Sequence, residues 1–213
     1  MGTDTQSPMG RPRGFDSERA LERAMLVFWR HGYEGATLTD LTNAMGISRT
    51  SMYAAYGNKR RLFELTLARY AETVMAYAGR ALAAPAARQV AETFLRENVA
   101  AVTAPDRPLG CFSLQGGLAC GPENAGVSLT LARSRQAGER AMSERFLRAA
   151  QEGDLAPGTT PDDLARFIMV LSEGLAVHAA AGSTPEDLTR VVDIALRALP
   201  EDTSRQAGHP ASQ

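Results

Sequence analysis

The chain has 213 residues, 44% of them hydrophobic and 22% charged, enough for one or two domains with a buried core. Its 23 Lys+Arg against 24 Asp+Glu give a formal net charge of -1, which by itself argues against a nucleic-acid-binding domain. No apolar run reaches the ~18 residues of a membrane span, and the two cysteines, Cys111 and Cys120, are too few for a disulfide scaffold and lack metal-ligand spacing.

Residues 1–14 are polar and rich in Gly and Pro, unlike a secretory signal, and read as a flexible basic arm of a cytoplasmic protein. Asp16 can cap a helix running to about residue 30, with Leu21, Ala24, Met25, Phe28 and Trp29 as its buried stripe and Gly32 as its stop. A short helix over 37–45 opens with the capping box Thr37-x-x-Asp40. Gly46 turns the chain, Ser48 caps a second short helix over 48–55, and Gly57 ends it. A long helix is predicted over 58–83, broken by Pro85, with another over 86–103. Pro105, Pro108 and Gly110 mark a loop ahead of a short, Gly-interrupted segment over 112–120. A long helix over 124–151 precedes two that open alike, at Thr160-Pro161-Asp162-Asp163 and Thr184-Pro185-Glu186-Asp187. Each offers an N-cap, a Pro at the first helical position and acids where the helix dipole favours them. From residue 200 the composition turns polar and reads as a disordered tail. No segment has strand period, so the fold class is all-α.

The charge is unevenly placed: residues 1–62 hold 9 basic and 6 acidic side chains, a net of +3, and the remainder carries -4. Within that basic segment, 38–55 carries the main functional signal. Two short helices flank a glycine turn, with Leu41, Met45, Ile47 and Met52 available to pack them on the first helix. That is the helix-turn-helix layout, whose second helix enters the major groove, although a plain αα-hairpin has the same spacing. The second helix opens Ser48-Arg49-Thr50-Ser51, with Tyr53 a turn beyond, and these groups suit phosphate oxygens and base edges. Arg49 has the fork to hold a guanine; Ser48 also fits an ordinary N-cap, and Tyr53 a half-buried core ring. The next helix opens Asn58-Lys59-Arg60-Arg61, cations at the positive end of a dipole, which costs roughly a few tenths of a kcal/mol each. Such a cluster beside free N–H groups fits DNA phosphate; the alternative is a solvated run paired with Glu64. Arg11 and Arg13 fit an adjacent minor groove, or belong to a plain leader.

The stretches Gly32-Tyr33-Glu34-Gly35-Ala36-Thr37-Leu38-Thr39-Asp40-Leu41 and Met45-Gly46-Ile47-Ser48-Arg49-Thr50-Ser51-Met52-Tyr53-Ala54-Ala55-Tyr56-Gly57-Asn58-Lys59 closely resemble the TetR/AcrR family of bacterial regulators. Gly110-Cys111-Phe112, Gly117-Leu118-Ala119-Cys120-Gly121 and Glu173-Gly174-Leu175-Ala176-Val177 resemble one large subgroup of it. The resemblance implies about nine helices, with a three-helix DNA-binding head over 15–62 and a larger body over 63–199 that binds an effector. It also implies a homodimer through the last two long helices, and usually repression relieved by a small molecule. Thr37, Arg49, Thr50, Ser51, Tyr53 and Lys59 match positions that commonly touch DNA in the family. Ala54 and Ala55 stand where many members place Tyr or His on phosphate, which shifts expected contacts toward the arm and Arg60. Thr42 stands where Ala is favoured and reads as a tolerated packing change.

In the body, Leu164, Phe167, Ile168, Leu171, Leu175 and His178 recur at helical spacing, as do Leu188, Val191, Val192, Ala195 and Leu199. Leu171, Leu175, His178, Leu188, Val192 and Ala195 are expected at a dimer face built as a four-helix bundle, with part of each stripe serving the protomer's own core. Phe94, Cys111, Phe112, Gln115 and Phe167 are expected to line the effector site, each also readable as core. Cys111 follows a Pro/Gly loop at a helix start, where a dipole lowers a thiol pKa. Some relatives with a Gly-Cys pair here sense electrophiles or oxidants through it; an inert buried thiol is the alternative. Enzyme signatures are missing: His31, His178 and His209 lie apart, and Gly-x-Ser-x-Gly, P-loop, dinucleotide and Glu-x-x-His patterns do not occur. The expectation is a homodimeric DNA-binding regulator, a repressor on a pseudo-palindromic double-stranded operator. It takes an unidentified small-molecule effector, no cofactor, no metal and no membrane. A helical dimerisation or adaptor protein without DNA binding is the competing reading.

Overall fold

A computed structural model describes residues 16–117, 120–156 and 158–199; the arm with Arg11 and Arg13 and the polar tail lie outside the described residues. Among the described residues the fold is entirely helical, with ten α-helices and one 3-10 turn. The first four are α1 (Ser17–Gly35), α2 (Leu38–Met45), α3 (Arg49–Tyr56) and α4 (Lys59–Thr73). The body adds α5 (Ala76–Leu82), α6 (Ala87–Val102), α7 (Phe112–Gln115), the 3-10 turn (Pro122–Asn124), α8 (Ala125–Gln151), α9 (Pro161–Ala180) and α10 (Pro185–Ala198). Among the described residues, no helix is long and apolar enough to cross a membrane.

Local chemistry accounts for half of the ten helix starts. Asp16 accepts the Arg19 N–H at 3.1 Å, Ser48 the Ser51 N–H at 3.1 Å and Asn58 the Arg61 N–H at 2.8 Å. The Thr37–Asp40 box is complete in both directions at 3.1 Å. Of the two look-alike openings, Thr184 accepts from Asp187 at 3.2 Å, whereas the Thr160 side chain makes no capping bond. Gly32 (φ 69°, ψ 174°) breaks helical geometry where the stop was expected, and a further short turn, counted with α1, follows across that kink to Gly35.

The predicted 58–83 helix is two helices, and this supplies the tenth. Met75 leaves helical geometry (φ -90°, ψ 6°), and the N–H groups of Val74 and Met75 both donate to the Tyr70 carbonyl, at 2.9 and 3.1 Å. No Pro or Gly marks the break. Its cause is tertiary: Tyr77 is buried with its ring 5.5 Å from Phe94 and its hydroxyl accepting from Asn98 at 2.9 Å, so α5 turns to lie on α6. The start of α6 is also capped from afar. Asp154, beyond α8, accepts the Ala87 N–H at 2.6 Å, and buried Arg145 donates to the Ala84 and Pro85 carbonyls at 2.7 and 2.9 Å.

Helix α1 packs on α2 and α4, while α6 lies against α5, α9 and α10, and α8 against α9. Helix α4 runs without a break past Leu62, so head and body share it.

Candidate nucleic-acid interface and effector cavity

Leu41, Met45 and Met52 are buried, with α2 packed on α1 and α3 on α2 and α4, and Gly46 (φ 70°) supplies the left-handed turn between α2 and α3. Thr42 is buried too, its hydroxyl donating to the Leu38 carbonyl at 2.8 Å, which explains why a polar group is tolerated there. The outward face of α3 carries Ser48, Arg49, Thr50, Ser51 and Tyr53, all exposed. Tyr53 is 45% exposed and is not a core ring; that place is taken by Tyr56, whose hydroxyl donates to the Ser17 carbonyl at 3.0 Å. Arg49 donates to the Thr39 hydroxyl at 3.0 Å, which holds its guanidinium over α2. Thr37 is exposed at the start of α2, with its hydroxyl donating to Asp40 at 2.6 Å.

The cation cluster is engaged within the protomer. The Lys59 ammonium sits 4.6 Å over the Tyr33 ring, and burial pushes its pKa down. Arg60 and Arg61 share one carboxylate, Glu64, at 3.3 and 3.5 Å, the pairing weighed from the sequence as the alternative to phosphate. Arg60 also lies over the first turn of α8, where a Cβ on Gly126 would come within 2.4 Å of its guanidinium. These pairs are solvent-exposed, worth ~0–1 kcal/mol, and cost little to exchange for phosphate.

Head and body meet in an aromatic cluster. Phe28, Trp29 and Tyr33 of α1 meet Phe63 and Tyr70 of α4 and Phe112 of α7, with edge-on pairs such as Trp29–Tyr70 at 5.1 Å and Phe63–Phe112 at 5.3 Å. Two hydrogen bonds fasten α7 to α1: the Trp29 indole N–H donates to Gln115 Oε1 at 3.0 Å, and the Tyr33 N–H donates to the Gly116 carbonyl at 2.8 Å. The kink at Gly32 turns the chain for the second bond, and its positive φ disfavours any side chain there. A Cβ on Gly117 would lie 2.5 Å from the Leu131 side chain, so that glycine permits α7 to close on α8.

On its other side, α7 borders a partly open cavity of about 470 Å³ lined by α4 to α9. Phe94 and Cys111, expected there, do line it. The other three do not. Phe112 is fully buried in the aromatic junction, Gln115 holds Trp29, and Phe167 is 43% exposed on the outside of α9. Met75, Asn98, Arg135 and Glu173 line the cavity and were missed, because nothing in their spacing unites residues from four helices. Arg135 donates to the Ser113 carbonyl at 3.1 Å and lies 3.7 Å from Glu173, whose carboxyl burial pushes up. Cys111 is 7% exposed; its sulfur accepts from the Tyr70 hydroxyl at 3.2 Å. The four-residue α7 supplies little of the dipole that the sequence suggested for this thiol. Another groove, about 510 Å³ on the α8–α9 surface, has charged walls including Glu139, Arg140 and Arg166.

Four residues expected at the dimer face serve the protomer's own core instead: Leu175, Leu188, Val192 and Ala195 are buried. Leu171 is half-buried against that core and His178 is exposed. The apolar side chains that α9 and α10 leave exposed are Phe167, Val170, Val177, Val191 and Ile194, one helical step round from the expected stripe. A Cβ at Gly174, between Val170 and Val177, meets nothing within 4 Å.

An outward-facing recognition helix on a capped helix-turn-helix, joined to a cavity-bearing helical body, defines a DNA-binding transcriptional regulator. The sequence pattern of the bacterial regulatory proteins, tetR family, matches residues 20–66. The HTH-type transcriptional repressor ComR of Escherichia coli K12 is 30% identical over 209 residues, spanning 94% of this chain and 99% of that protein. The chain therefore belongs to the tetR family. The HTH-type regulator YezE of Bacillus subtilis 168 is 31% identical over 193 residues, 90% of this chain and all of that protein. Among solved structures, a cysteine mutant of the TetR family regulator CifR, complexed with 26-bp double-strand operator DNA, is 42% identical with a TM-score of 0.85; the match covers 89% of this chain and 100% of that one.

Proposed function

We propose that the protein is a cytoplasmic, homodimeric repressor that grips a pseudo-palindromic operator with two copies of α3 and releases it when a small molecule fills the body cavity. The observation that carries this is the outward face of α3, where Arg49, Thr50 and Tyr53 stand exposed on a helix capped at Ser48. Arg49 is suited to a base edge, and Tyr53 with the α4 cations to phosphate. The heads of a twofold dimer fit half-sites one helical turn, about 34 Å, or a multiple apart. Fluorescence anisotropy on the chain's own upstream DNA tests the proposal. Affinity should fall ~10³-fold or more between about 50 and 200 mM salt, as many phosphate contacts require. Binding that is absent, or flat with salt, would favour the adaptor reading.

The exposed stripe of α9 and α10 is the face on which the two copies meet. Val177→Asp or Ile194→Asp places a charge in that contact and is expected to give a protomer-sized species by light scattering, with operator affinity lost in parallel. An intact dimer in both variants would move the interface elsewhere.

Helix α7 links the two ends of the mechanism. Of α7 and its two flanking residues, Cys111, Ser113 and Leu114 touch the cavity, while Phe112, Gln115 and Gly116 hold the head. A ligand that shifts α7 therefore shifts α1, and with it the spacing of the two recognition helices. Gln115→Leu keeps the volume but strands the Trp29 N–H. It is expected to cost about 1–3 kcal/mol in urea unfolding and to weaken ligand-free operator binding several-fold. Unchanged operator affinity would place the coupling outside α7.

A further inference from the structure

We infer that the centre of the α3 face selects thymine by its C5-methyl group, through the methyl of Thr50 and the Cβ of Ala54. This rests on α3 as the recognition helix and adds the base chemistry that it reads. Met52 and Tyr56 are the buried residues of α3 and fix which way the helix faces. At about 100° per residue, Thr50 and Ala54 each lie roughly 200° round from Met52 and so point away from the core. They are four positions apart, neighbours on the helix surface, and both are exposed. Arg49 and Tyr53 form the parallel pair on one flank, Ser51 and Ala55 the pair on the other, and these four are exposed too.

Hydrogen-bonding groups sit on the flanks. Arg49 has the fork that fits guanine, and the Thr39 hydroxyl at 3.0 Å holds it toward α2. The Ser51 hydroxyl lies 2.9 Å from that of Ser48, toward the start of the helix. Helix α3 contains no Asn, Gln, Asp or Glu, the side chains that pair with adenine or accept from cytosine. The middle of its face therefore meets the groove floor with two small apolar groups, and the apolar group of that floor is the thymine methyl. The side chain of Ala54 can read nothing else there. The Thr50 hydroxyl suits several base edges, so its methyl carries the selection. With nothing longer than threonine at the centre, the helix can also approach the bases closely enough to make a methyl–methyl contact.

The test takes a duplex that the full-length protein selects from a random-sequence pool and remakes it with each thymine in turn replaced by uracil, which removes only the C5-methyl. At one or two thymines per half-site the change is expected to weaken binding about fourfold, the worth of one buried methyl. Cytosine at such a position should cost more, and 5-methylcytosine should regain about fourfold of that loss. Thr50→Ser keeps the hydroxyl and removes the methyl, and Ala54→Gly removes the Cβ. Each variant is expected to bind the thymine duplex more weakly and to lose the preference for thymine over uracil at one position. Because glycine also loosens a helix, Ala54→Gly is judged on that preference and not on affinity alone. The inference fails if every uracil duplex binds as the thymine duplex does, or if both variants keep the full preference. If the pool yields no selected duplex, the repressor reading itself falls, and the inference with it.

Discussion

Arg49→Ala is expected to weaken binding to the operator by about 1–3 kcal/mol, roughly 5- to 150-fold at fixed salt, with Tm unchanged. The two halves of that expectation have separate causes. Arg49 is the first residue of α3, exposed, and its recorded partner is the Thr39 hydroxyl at 3.0 Å, so removing it from the free protein costs one solvent-exposed hydrogen bond. Alanine is a strong helix former, and the Ser48 cap remains, so stability should stay within about 0.5 kcal/mol. On DNA the guanidinium is placed to reach base edges, and its loss leaves those edges unread. The loss should therefore be larger on the operator than on unrelated duplex, which competition anisotropy measures directly. Tyr53→Phe removes a hydroxyl suited to phosphate and should weaken both kinds of duplex alike, by a few-fold. If neither variant weakens binding at low salt, α3 is not the recognition surface.

Phe112→Ala is expected to destabilise the protein by about 3–5 kcal/mol, lowering Tm by roughly 6–20 °C. Phe112 is fully buried, with Phe63 at 5.3 Å, Tyr70 at 5.7 Å and Trp29 at 6.3 Å from its ring. Truncation opens a void where α1, α4 and α7 converge, and the surrounding rings are too rigid to fill it. The variant also separates two roles for this residue. Had Phe112 lined the effector cavity, truncation would enlarge the cavity and change ligand preference at modest cost in stability. As part of the junction, it should instead lower stability sharply and loosen the head, read as faster hydrogen exchange at Tyr33, whose N–H is bonded to Gly116. A stability loss below about 1 kcal/mol would contradict the junction role.

The basic head illustrates how placement of charge matters more than its sum. The overall -1 conceals a +3 over residues 1–62. Yet the structure shows Arg60 and Arg61 sharing Glu64, and Lys59 stacked on Tyr33, so this part of the charge is stored in weak contacts within the head. Operator binding then becomes an exchange of ion-pair partners. That lowers the net gain per phosphate without removing the salt dependence.

Which features were legible follows from how local their causes are. The capped starts of α1 to α4, the left-handed Gly46 and the helix-turn-helix itself depend on residues within about four positions of one another, and the sequence determined them alone. The family resemblance carried by the same stretch was equally local. The break at Met75 was not legible, because the cause lies in Tyr77 meeting Phe94 and Asn98 on another helix. Nor was the cap of α6, supplied by Asp154 from 67 positions away. Phe167 and Ile168 show the limit most simply: adjacent, both apolar and both on the predicted stripe, one is 43% exposed and the other fully buried. Periodicity says that a helix has an apolar face; which neighbour turns inward is decided by the helices it meets. On that choice hang the cavity wall, the aromatic junction and the face left for a second copy, and tertiary packing alone made it.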